Sequence, residues 1–196
     1  MILYFDTETT GLVPGQICQL SYIMQDGDNL SARNMFFSVD NVEYSAQMVH
    51  GFSMEKLSEL SGGKRFEDFI DVIEKDFSKA DMIISHNTAF DFMFMRAEFE
   101  RLNKIFYIKN EFCSMKKTTG ICKLKRSRGQ GYKYPKLNEL CEFFNVTNGQ
   151  ILSAVKKIFG AQVGFHDARF DATAVLLAIN EGVDKFAEFE KIKEFL

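Results

Sequence analysis

The sequence predicts a single α/β domain built on a mixed β-sheet with helices packed against it. Three apolar segments near the N-terminus are typical of antiparallel strands, and the chain then alternates between short strands and helical segments. With 196 residues, 46% of them hydrophobic and 26% charged, the chain is long enough to bury a core and has an ordinary globular composition. It contains no internal repeat and no interdomain linker, so residues 1–196 are expected to form one domain.

The individual elements follow from periodicity and from turn residues. Strands are predicted at residues 1–7, 16–25, 32–39, 81–85 and 106–112, and helices at residues 66–77, 89–102, 135–144, 150–159 and 167–180, with a short helix running to Leu196. Asp26-Gly27 is typical of a tight turn between antiparallel strands. Gly62-Gly63 predicts a loop, and Pro135 is expected at the first position of its helix.

Composition and charge exclude several classes of protein. The apolar runs are too short to span a bilayer, and the first leads into Asp6 and Glu8, which is unlike a signal peptide. The net charge is only −3. The scattered cysteines lack C-x-x-C spacing, so we expect buried, reduced thiols and a cytoplasmic protein with no membrane association. These cysteines are Cys18, Cys113, Cys122 and Cys141.

Asp6 and Glu8 are candidate metal ligands on the first strand. Residues two apart on a strand point to one face, so both carboxylates share the face of Ile2 and Tyr4 and end a buried row. The following Thr9-Thr10-Gly11 predicts a polar turn at the carboxyl edge of the strand, where open α/β sheets bind ligands. The pair alone is a weak signal, because a chain with 27 acidic residues contains such pairs by chance.

Asp91 and Asp171 lie at the start of apolar helix faces. The residues three and four positions after them are Phe94, Met95, Ala174 and Val175. A carboxylate that faces a core is costly to bury unless a cation or hydrogen-bond donors satisfy it. Capping of the helix is the alternative interpretation, and it is the one we prefer for Asp167, at the start of its helix.

Four converging carboxylates would repel one another strongly without cations. Oxygen ligands without thiolates or an imidazole cluster suit Mg²⁺ or Mn²⁺, and two such ions about 3.5–4 Å apart can hold a scissile phosphate. His166, five residues before Asp171, is expected to act as general base toward an attacking water. His50 and His86 are expected to have structural roles through hydrogen bonds.

Three segments resemble the sequence motifs of the DEDD superfamily of exonucleases. They are Asp6-Thr7-Glu8-Thr9-Thr10-Gly11, His86-Asn87-Thr88-Ala89-Phe90-Asp91 and His166-Asp167-Ala168-Arg169-Phe170-Asp171-Ala172. The histidine five residues before the last aspartate is similar to the DEDDh branch, which includes the proofreading subunit of bacterial DNA polymerase III, ribonuclease T and oligoribonuclease. The resemblance implies a ribonuclease H-like fold, a five-stranded mixed sheet flanked by helices.

The resemblance also implies a role for each residue of the site. Asp6 is expected to bridge two divalent cations, and Glu8 and Asp171 to hold the ion that carries the attacking water. His166 is expected to deprotonate that water, and Asp91 to complete the site.

Contacts to the substrate are implied with the same motifs. The backbone near Thr9, the side chain of Leu12 and the ring of Phe90 are expected to meet the terminal nucleotide. Apolar and aromatic surfaces stack on any base without choosing among them. Core packing is an equally good interpretation of Phe90, in a chain with 21 phenylalanines.

The segment between Glu111 and Glu139 contains eight basic residues and no acidic one. They are Lys116, Lys117, Lys123, Lys125, Arg126, Arg128, Lys133 and Lys136. We expect a loop that contacts the nucleic-acid backbone with salt-sensitive affinity, chiefly through Lys123, Lys125, Arg126, Arg128 and Lys133. Tyr132 and Tyr134 are interleaved and could stack on bases, whereas a solvated loop with no binding role is the alternative.

The leading functional hypothesis is a metal-dependent 3′→5′ exonuclease that releases nucleoside 5′-monophosphates from single-stranded or frayed DNA. An exoribonuclease acting on RNA ends or short oligonucleotides is the first alternative, because the treatment of the 2′-hydroxyl separates the two. A non-catalytic nucleic-acid-binding module is the second. The chain carries no polymerase domain and no long docking tail, so we expect a stand-alone nuclease, or one recruited by a replication or repair partner. The sequence favours no oligomeric state.

Overall fold

A computed structural model describes residues 1–164 and 166–196, and its centre is a five-stranded sheet of order β3-β2-β1-β4-β5. The strands are β1 (Ile2–Thr9), β2 (Ile17–Asp26), β3 (Asn29–Phe36), β4 (Met82–Ser85) and β5 (Glu111–Cys113). The first three pair antiparallel, whereas β4 runs parallel to β1 and β5 parallel to β4. The predicted mixed sheet of five strands is therefore confirmed.

Helices cover both faces of this sheet. They are α1 (Tyr44–His50), α2 (Met54–Ser61), α3 (Ile70–Lys79), α4 (Thr88–Arg101), α5 (Ser114–Lys117), α6 (Thr119–Cys122), α7 (Leu137–Phe143), α8 (Asn148–Phe159), α9 (Ala168–Gly182) and α10 (Glu190–Lys193). Short 3-10 turns precede α3 at Phe66–Phe69 and α10 at Ala187–Phe189.

The central strand β1 is buried on both faces and separates two hydrophobic cores. Ile2 and Tyr4 belong to the core that contains α7, α8 and α9, whereas Leu3 and Phe5 belong to the core of α3 and α4. Because side chains alternate along a strand, Asp6 and Glu8 continue the row of Ile2 and Tyr4 toward α9. Thr7 continues the other row, toward α4.

Several predicted boundaries were wrong for local reasons. The β2–β3 turn lies at Gly27-Asp28, one residue later than predicted, with Gly27 at a φ of +58°, and β3 begins at Asn29. Pro135 precedes the cap of α7, which begins at Leu137. The predicted loop at 114–136 contains α5 and α6. Helices α1 and α2 were not predicted at all.

The predicted fifth strand also differs, since only Glu111–Cys113 pairs with β4. Phe106, at the start of the predicted strand, instead packs into an aromatic cluster. Its ring centroid lies 5.5 Å from that of Phe77, 5.7 Å from that of Phe92 and 5.1 Å from that of Phe99. Aromatic packing therefore overrides strand propensity in this segment.

The expectations on cysteines and membrane spans can also be compared with the structure. All four cysteines are free thiols in buried positions, as predicted. In the described part of the chain, no helix is long and apolar enough to cross a bilayer.

Gly182, at the end of α9, provides a test of the packing around that helix. A Cβ atom at this position would lie 2.6 Å from the Phe189 ring and 2.8 Å from the Phe144 ring. We expect Gly182→Ala to destabilise the fold by about 1–3 kcal/mol, because the overpacked rings must move. Thermal unfolding measures the loss. Gly149→Ala is the matched control, because no atom other than the Thr147 hydroxyl lies near its Cβ position, and an unchanged melting temperature in both variants would contradict the packing.

Candidate active site

Three carboxylates converge where β1 ends and α9 begins. One ligand oxygen from each of Asp6, Glu8 and Asp171 lies within 4.8 Å of the others. Alternation along β1 directs the first two toward α9, and Asp171, in the first turn of that helix, faces back toward the strand. These three residues, called the carboxylate cluster below, were all predicted as metal ligands.

Asp91 was predicted as the fourth ligand, and it lies beside the cluster rather than within it. Its carboxylate is buried and accepts hydrogen bonds from the Thr7 hydroxyl at 2.8 Å and the Ser85 hydroxyl at 2.9 Å. Thr7 lies on the α4 side of β1, so Asp91 approaches the strand end from the opposite layer to Asp171. Its charge still contributes to the raised pKa of Asp6.

Burial and the charges of neighbouring carboxylates raise the pKa of each carboxyl group in the cluster. Burial is the largest cause at Asp6, and the charges of Asp171, Asp91 and Glu8 raise its pKa further above the ordinary range. Burial and then the charge of Asp171 raise the pKa of Glu8 to about 9. Burial followed by the charge of Asp167 raises the pKa of Asp171 to about 7. The folded chain therefore disfavours the triply ionised cluster unless a cation is present.

The cluster differs from the structural carboxylates of this protein in its partners. Buried Asp76 accepts hydrogen bonds from Tyr22 and Arg33, and buried Glu98 accepts one from the Ile17 backbone and pairs with Arg101. Within residues 1–164 and 166–196, no hydrogen bond or ion pair holds the carboxylates of the cluster. Three carboxylates without such partners among the described residues are suitable ligands for a hard divalent cation such as Mg²⁺ or Mn²⁺.

His166, the predicted general base, is exposed just before α9. Its backbone has a φ of +57°, which is uncommon for a residue other than glycine and costs about 1–2 kcal/mol. It lines the same cleft as Asp171, so the imidazole and this member of the cluster are accessible from one opening. The neighbouring Phe165 lies outside the described residues.

Asp167 caps α9, as predicted. Its carboxylate accepts a hydrogen bond from the backbone N–H of Arg169 at 3.0 Å and forms an ion pair with the Arg169 guanidinium at 2.7 Å. Gln19 donates to the same carboxylate and accepts from the N–H of Ala168, which joins β2 to the start of α9. These bonds fix the turn that places Asp171.

The other two histidines are structural, as predicted. The Phe52 N–H donates to His50 Nδ1 at 3.1 Å, and His50 Nε2 donates to the Thr9 carbonyl at 3.2 Å. His86 Nε2 donates to the Pro135 carbonyl at 3.0 Å, and Nδ1 lies 2.9 Å from the Ser114 hydroxyl. Burial lowers the pKa of His50 and lowers that of His86 to about 4. Both rings are therefore neutral, and their hydrogen bonds stabilise the local structure.

An apolar slot of about 270 Å³ opens on one side of the carboxylate cluster. It is lined by Glu8, Thr9, Leu12, Ser45, Val49 and Phe90. The three residues predicted to meet a terminal nucleotide are therefore brought together beside Glu8, a predicted metal ligand. Phe90 is half-buried and packs 5.0 Å from the Phe94 ring, so it serves both the core and the slot.

A wider cleft of about 830 Å³ opens on the other side of the cluster. Its walls come from the start of α7, the start of α8 and α9, and they include Lys136, Asn138, Asn145, Asn148, His166 and Asp171. Glu8 lines the slot and Asp171 lines the cleft, so the cluster lies between the two openings. The asparagines of this wall were not predicted, because isolated amides give no periodic signal.

The basic segment forms a hairpin that leads into α7, whose first residues line this cleft. Lys125 bridges to Tyr132 and the Lys133 N–H donates to the Leu124 carbonyl at 2.9 Å, which defines the basic hairpin as residues 124–133. The predicted contact residues Lys123, Lys125, Arg126 and Arg128 are exposed. Lys133 is half-buried and paired with Glu139 in α7, so its charge is partly neutralised.

Thr7, Ser85 and Gln19 hold the site in place and were missed by sequence reasoning. Each ends or interrupts a largely buried strand row, which is the available signal, but Thr7 and Gln19 have partners 84 and 148 residues away, and Ser85 meets its partner across a turn of six residues. Only the fold brings the Thr7 and Ser85 hydroxyls to Asp91.

The fold and the position of the carboxylates define a ribonuclease H-like α/β domain. Comparison with protein-family models finds no match, and comparison with curated proteins finds none. Comparison with solved structures matches a moderately thermophilic exonuclease I from Methylocaldum szegediense, with a TM-score of 0.70 and 18% identity over 98% of this chain and 42% of the other.

Two structures of exonuclease I from E. coli are also similar. The complex with a dA16 oligonucleotide has a TM-score of 0.70 and 17% identity, and covers 98% of this chain and 43% of the other. The zinc-bound complex with single-stranded DNA has a TM-score of 0.73 and 16% identity, with 98% and 42% covered. At these identities the likeness establishes the fold, and the chain spans less than half the length of these exonucleases.

The raised pKa values predict that stability without metal falls as pH rises. A carboxyl whose folded pKa is raised binds a proton that the unfolded chain has released, so unfolding becomes easier as pH increases toward the folded pKa. The pKa of Glu8 is about 9, so its effect on stability covers pH 7–9. This range lies above the one in which the lowered pKa values of His50 and His86 make stability rise with pH. We expect the free energy of unfolding in chelator to fall across pH 7–9, by up to about 1.4 kcal/mol per pH unit for each such group.

Thermal unfolding with EDTA and with Mg²⁺ measures this dependence. Glu8→Gln is expected to flatten the slope in EDTA, and Mg²⁺ to flatten it in the parent protein. An equal slope for the parent and Glu8→Gln proteins in EDTA would contradict the assignment.

Proposed function

We propose that this protein is a metal-dependent 3′→5′ exonuclease that hydrolyses phosphodiester bonds and releases nucleoside 5′-monophosphates. The observation that carries the proposal is the carboxylate cluster, which has no hydrogen-bond or ion-pair partner among the described residues and whose Asp171 shares a cleft with His166. The similarity of fold to exonuclease I structures, two of them complexes with single-stranded DNA, supports the same reaction.

The metal ions of the proposed enzyme are two Mg²⁺ or Mn²⁺ ions held by Asp6, Glu8 and Asp171, with Asp91 completing the site. When bound, such ions stabilise the charge that develops on a phosphate during hydrolysis. The hydroxyls of Thr7 and Ser85 fix the Asp91 carboxylate while leaving lone pairs on both of its oxygens.

The hydrolytic step requires a base for the attacking water, and His166 is the proposed base. The water oxygen forms a new bond to phosphorus, and the bond between phosphorus and the 3′ oxygen of the preceding nucleotide breaks. His166 receives the water proton, and the leaving 3′ oxygen takes up a proton to become the new strand end. An exposed imidazole exchanges its proton with solvent and is ready for the next cycle.

The apolar slot is the proposed site of the terminal nucleotide. Leu12 and Phe90 provide surfaces for the base, and Thr9 forms the adjoining backbone. Such surfaces accept any base, so the site is expected to digest strands regardless of sequence. The slot adjoins Glu8, which places the phosphate of a bound terminal nucleotide near the carboxylate cluster.

Single-stranded DNA is the proposed substrate, with RNA as the alternative. The basic hairpin supplies Lys125, Arg126 and Arg128 as exposed cations, and Lys123 precedes it; these four side chains contact backbone phosphates in this proposal. Residues 1–196 act as one exonuclease domain in this proposal, in the cytoplasm, alone or recruited to a replication or repair partner.

Digestion of matched 3′-labelled oligomers tests the activity directly. We expect labelled 5′-mononucleotides from single-stranded DNA with Mg²⁺ or Mn²⁺, slower release from blunt duplex, and none in EDTA. Asp6→Asn is expected to abolish digestion, because the substitution removes a ligand charge from the cluster while keeping the side-chain size. Asp76→Asn is the matched control, since it changes a buried structural carboxylate. A strong preference for RNA would select the exoribonuclease alternative, and full activity of Asp6→Asn would refute the site.

The role of His166 can be separated from its backbone strain. We expect His166→Asn to lower kcat by about 100-fold or more, the usual contribution of a general base, without loss of stability, because asparagine tolerates the left-handed conformation. Mg²⁺ affinity, measured by the Mg²⁺-induced rise in melting temperature, is expected to stay unchanged. An unchanged kcat in this variant would exclude His166 as the base.

A further inference from the structure

Three large apolar side chains outside the slot are exposed at its edge. They are Val13, Tyr44 and Met48, with 72%, 76% and 67% of their surface exposed, and we call them the apolar rim. Tyr44 and Met48 are one turn apart on α1 and share a face of that helix. The core uses none of the three, so the rim presents an apolar surface to the outside.

The rim is continuous with the slot. Leu12 and Val49 line the slot. Leu12 directly precedes Val13 in the chain, and Val49 directly follows Met48. The Glu43 N–H donates to the Thr10 carbonyl at 2.8 Å and joins the start of α1 to the turn that carries Leu12 and Val13. The two halves of the rim are therefore held together beside the site of the terminal nucleotide.

The charges near the rim favour neutral groups over phosphates. Between residues 10 and 50 the only lysine or arginine is Arg33, and it is paired with Asp76. The acidic Glu43 lies next to the turn, where a Cβ atom on Gly11 would meet its carboxylate. A polynucleotide that touches the rim would therefore present its bases to it, whereas the cleft has Lys136 in its wall and the basic hairpin leads into that wall.

We propose that the apolar rim is a stacking platform for the unpaired bases that precede the terminal nucleotide of the substrate strand. The proposal rests on the proposed function and extends it to a second binding surface. Tyr44 supplies an aromatic face, and Val13 and Met48 supply apolar contact, so the platform is indifferent to base identity. A base paired in a duplex cannot stack in this way, so the rim favours single strands.

Kinetics on two substrates test the rim. The first is a single-stranded 12-mer, of DNA or RNA according to which the parent enzyme degrades. The second is thymidine 5′-(p-nitrophenyl phosphate), which has one nucleotide and therefore no preceding base to stack on the rim. We expect Tyr44→Ala/Met48→Ala to raise KM for the 12-mer by about 5- to 150-fold, the range for loss of one stacked base. The values of kcat/KM on the single nucleotide are expected to stay unchanged, and Tyr44→Phe is expected to behave as the parent.

The matched control is Ile105→Ala/Tyr107→Ala, which removes two side chains that are 84% and 62% exposed between α4 and β5. It is expected to leave KM unchanged on both substrates. An unchanged KM for the 12-mer in the rim variant would overturn the proposal. A change of sedimentation in the rim variant without a change of KM would also overturn it, in favour of a protein contact. Failure of the proposed function would give a different result from failure of the rim proposal, because the parent protein would then release no nucleotide from any strand.

Discussion

The structure depends on the burial of three like charges at the end of its central strand. One ligand oxygen from each of Asp6, Glu8 and Asp171 lies within 4.8 Å of the others, and burial is the largest cause of their raised pKa values, with neighbouring carboxylates raising them further. Asp76 and Glu98 show that buried carboxylates of this protein can be given hydrogen-bond donors, yet none from residues 1–164 or 166–196 is directed at the cluster. Such an arrangement costs stability in the metal-free state, and a divalent cation is the ligand that would remove that cost.

The two faces of the sheet contribute differently to this site. The α9 face supplies the cluster, and the Asp167 cap with its bonds to Gln19 and Arg169 fixes the first turn from which Asp171 projects. The α4 face supplies Asp91, whose carboxylate is restrained by hydroxyls from both β1 and β4. The cluster is therefore open to cations, whereas Asp91 is already positioned. This difference fits a metal site in which the cluster supplies the direct ligands and Asp91 completes the coordination from the α4 face.

The sequence was sufficient to predict the direction of a side chain where that direction follows from the regular repeat of a strand or helix. Alternation along β1 predicted that Asp6 and Glu8 share a face, and the apolar stripe after Asp171 predicted that it faces the core. Periodicity did not predict α1, because the helix is only seven residues long and ends before Gly51, too short for an apolar stripe to repeat. It also failed for β5, which is three residues long and owes its position to pairing with β4. The restraints on Asp91 depend on contacts 84 and 6 residues away, and only the fold shows them.

The two openings beside the cluster explain how one site could act on strands of any sequence. The slot and the rim are apolar and lack lysine and arginine, whereas the cleft has Lys136 in its wall and the basic hairpin leads into that wall. A polynucleotide strand has the same division, with neutral bases on one side and charged phosphates on the other. Apolar surfaces for the bases and cations for the phosphates together orient an unpaired strand across the carboxylates. They do so without base specificity, since stacking and phosphate contacts are both independent of sequence. On the proposed function, selectivity then comes from the need for a free, unpaired end that fits the slot.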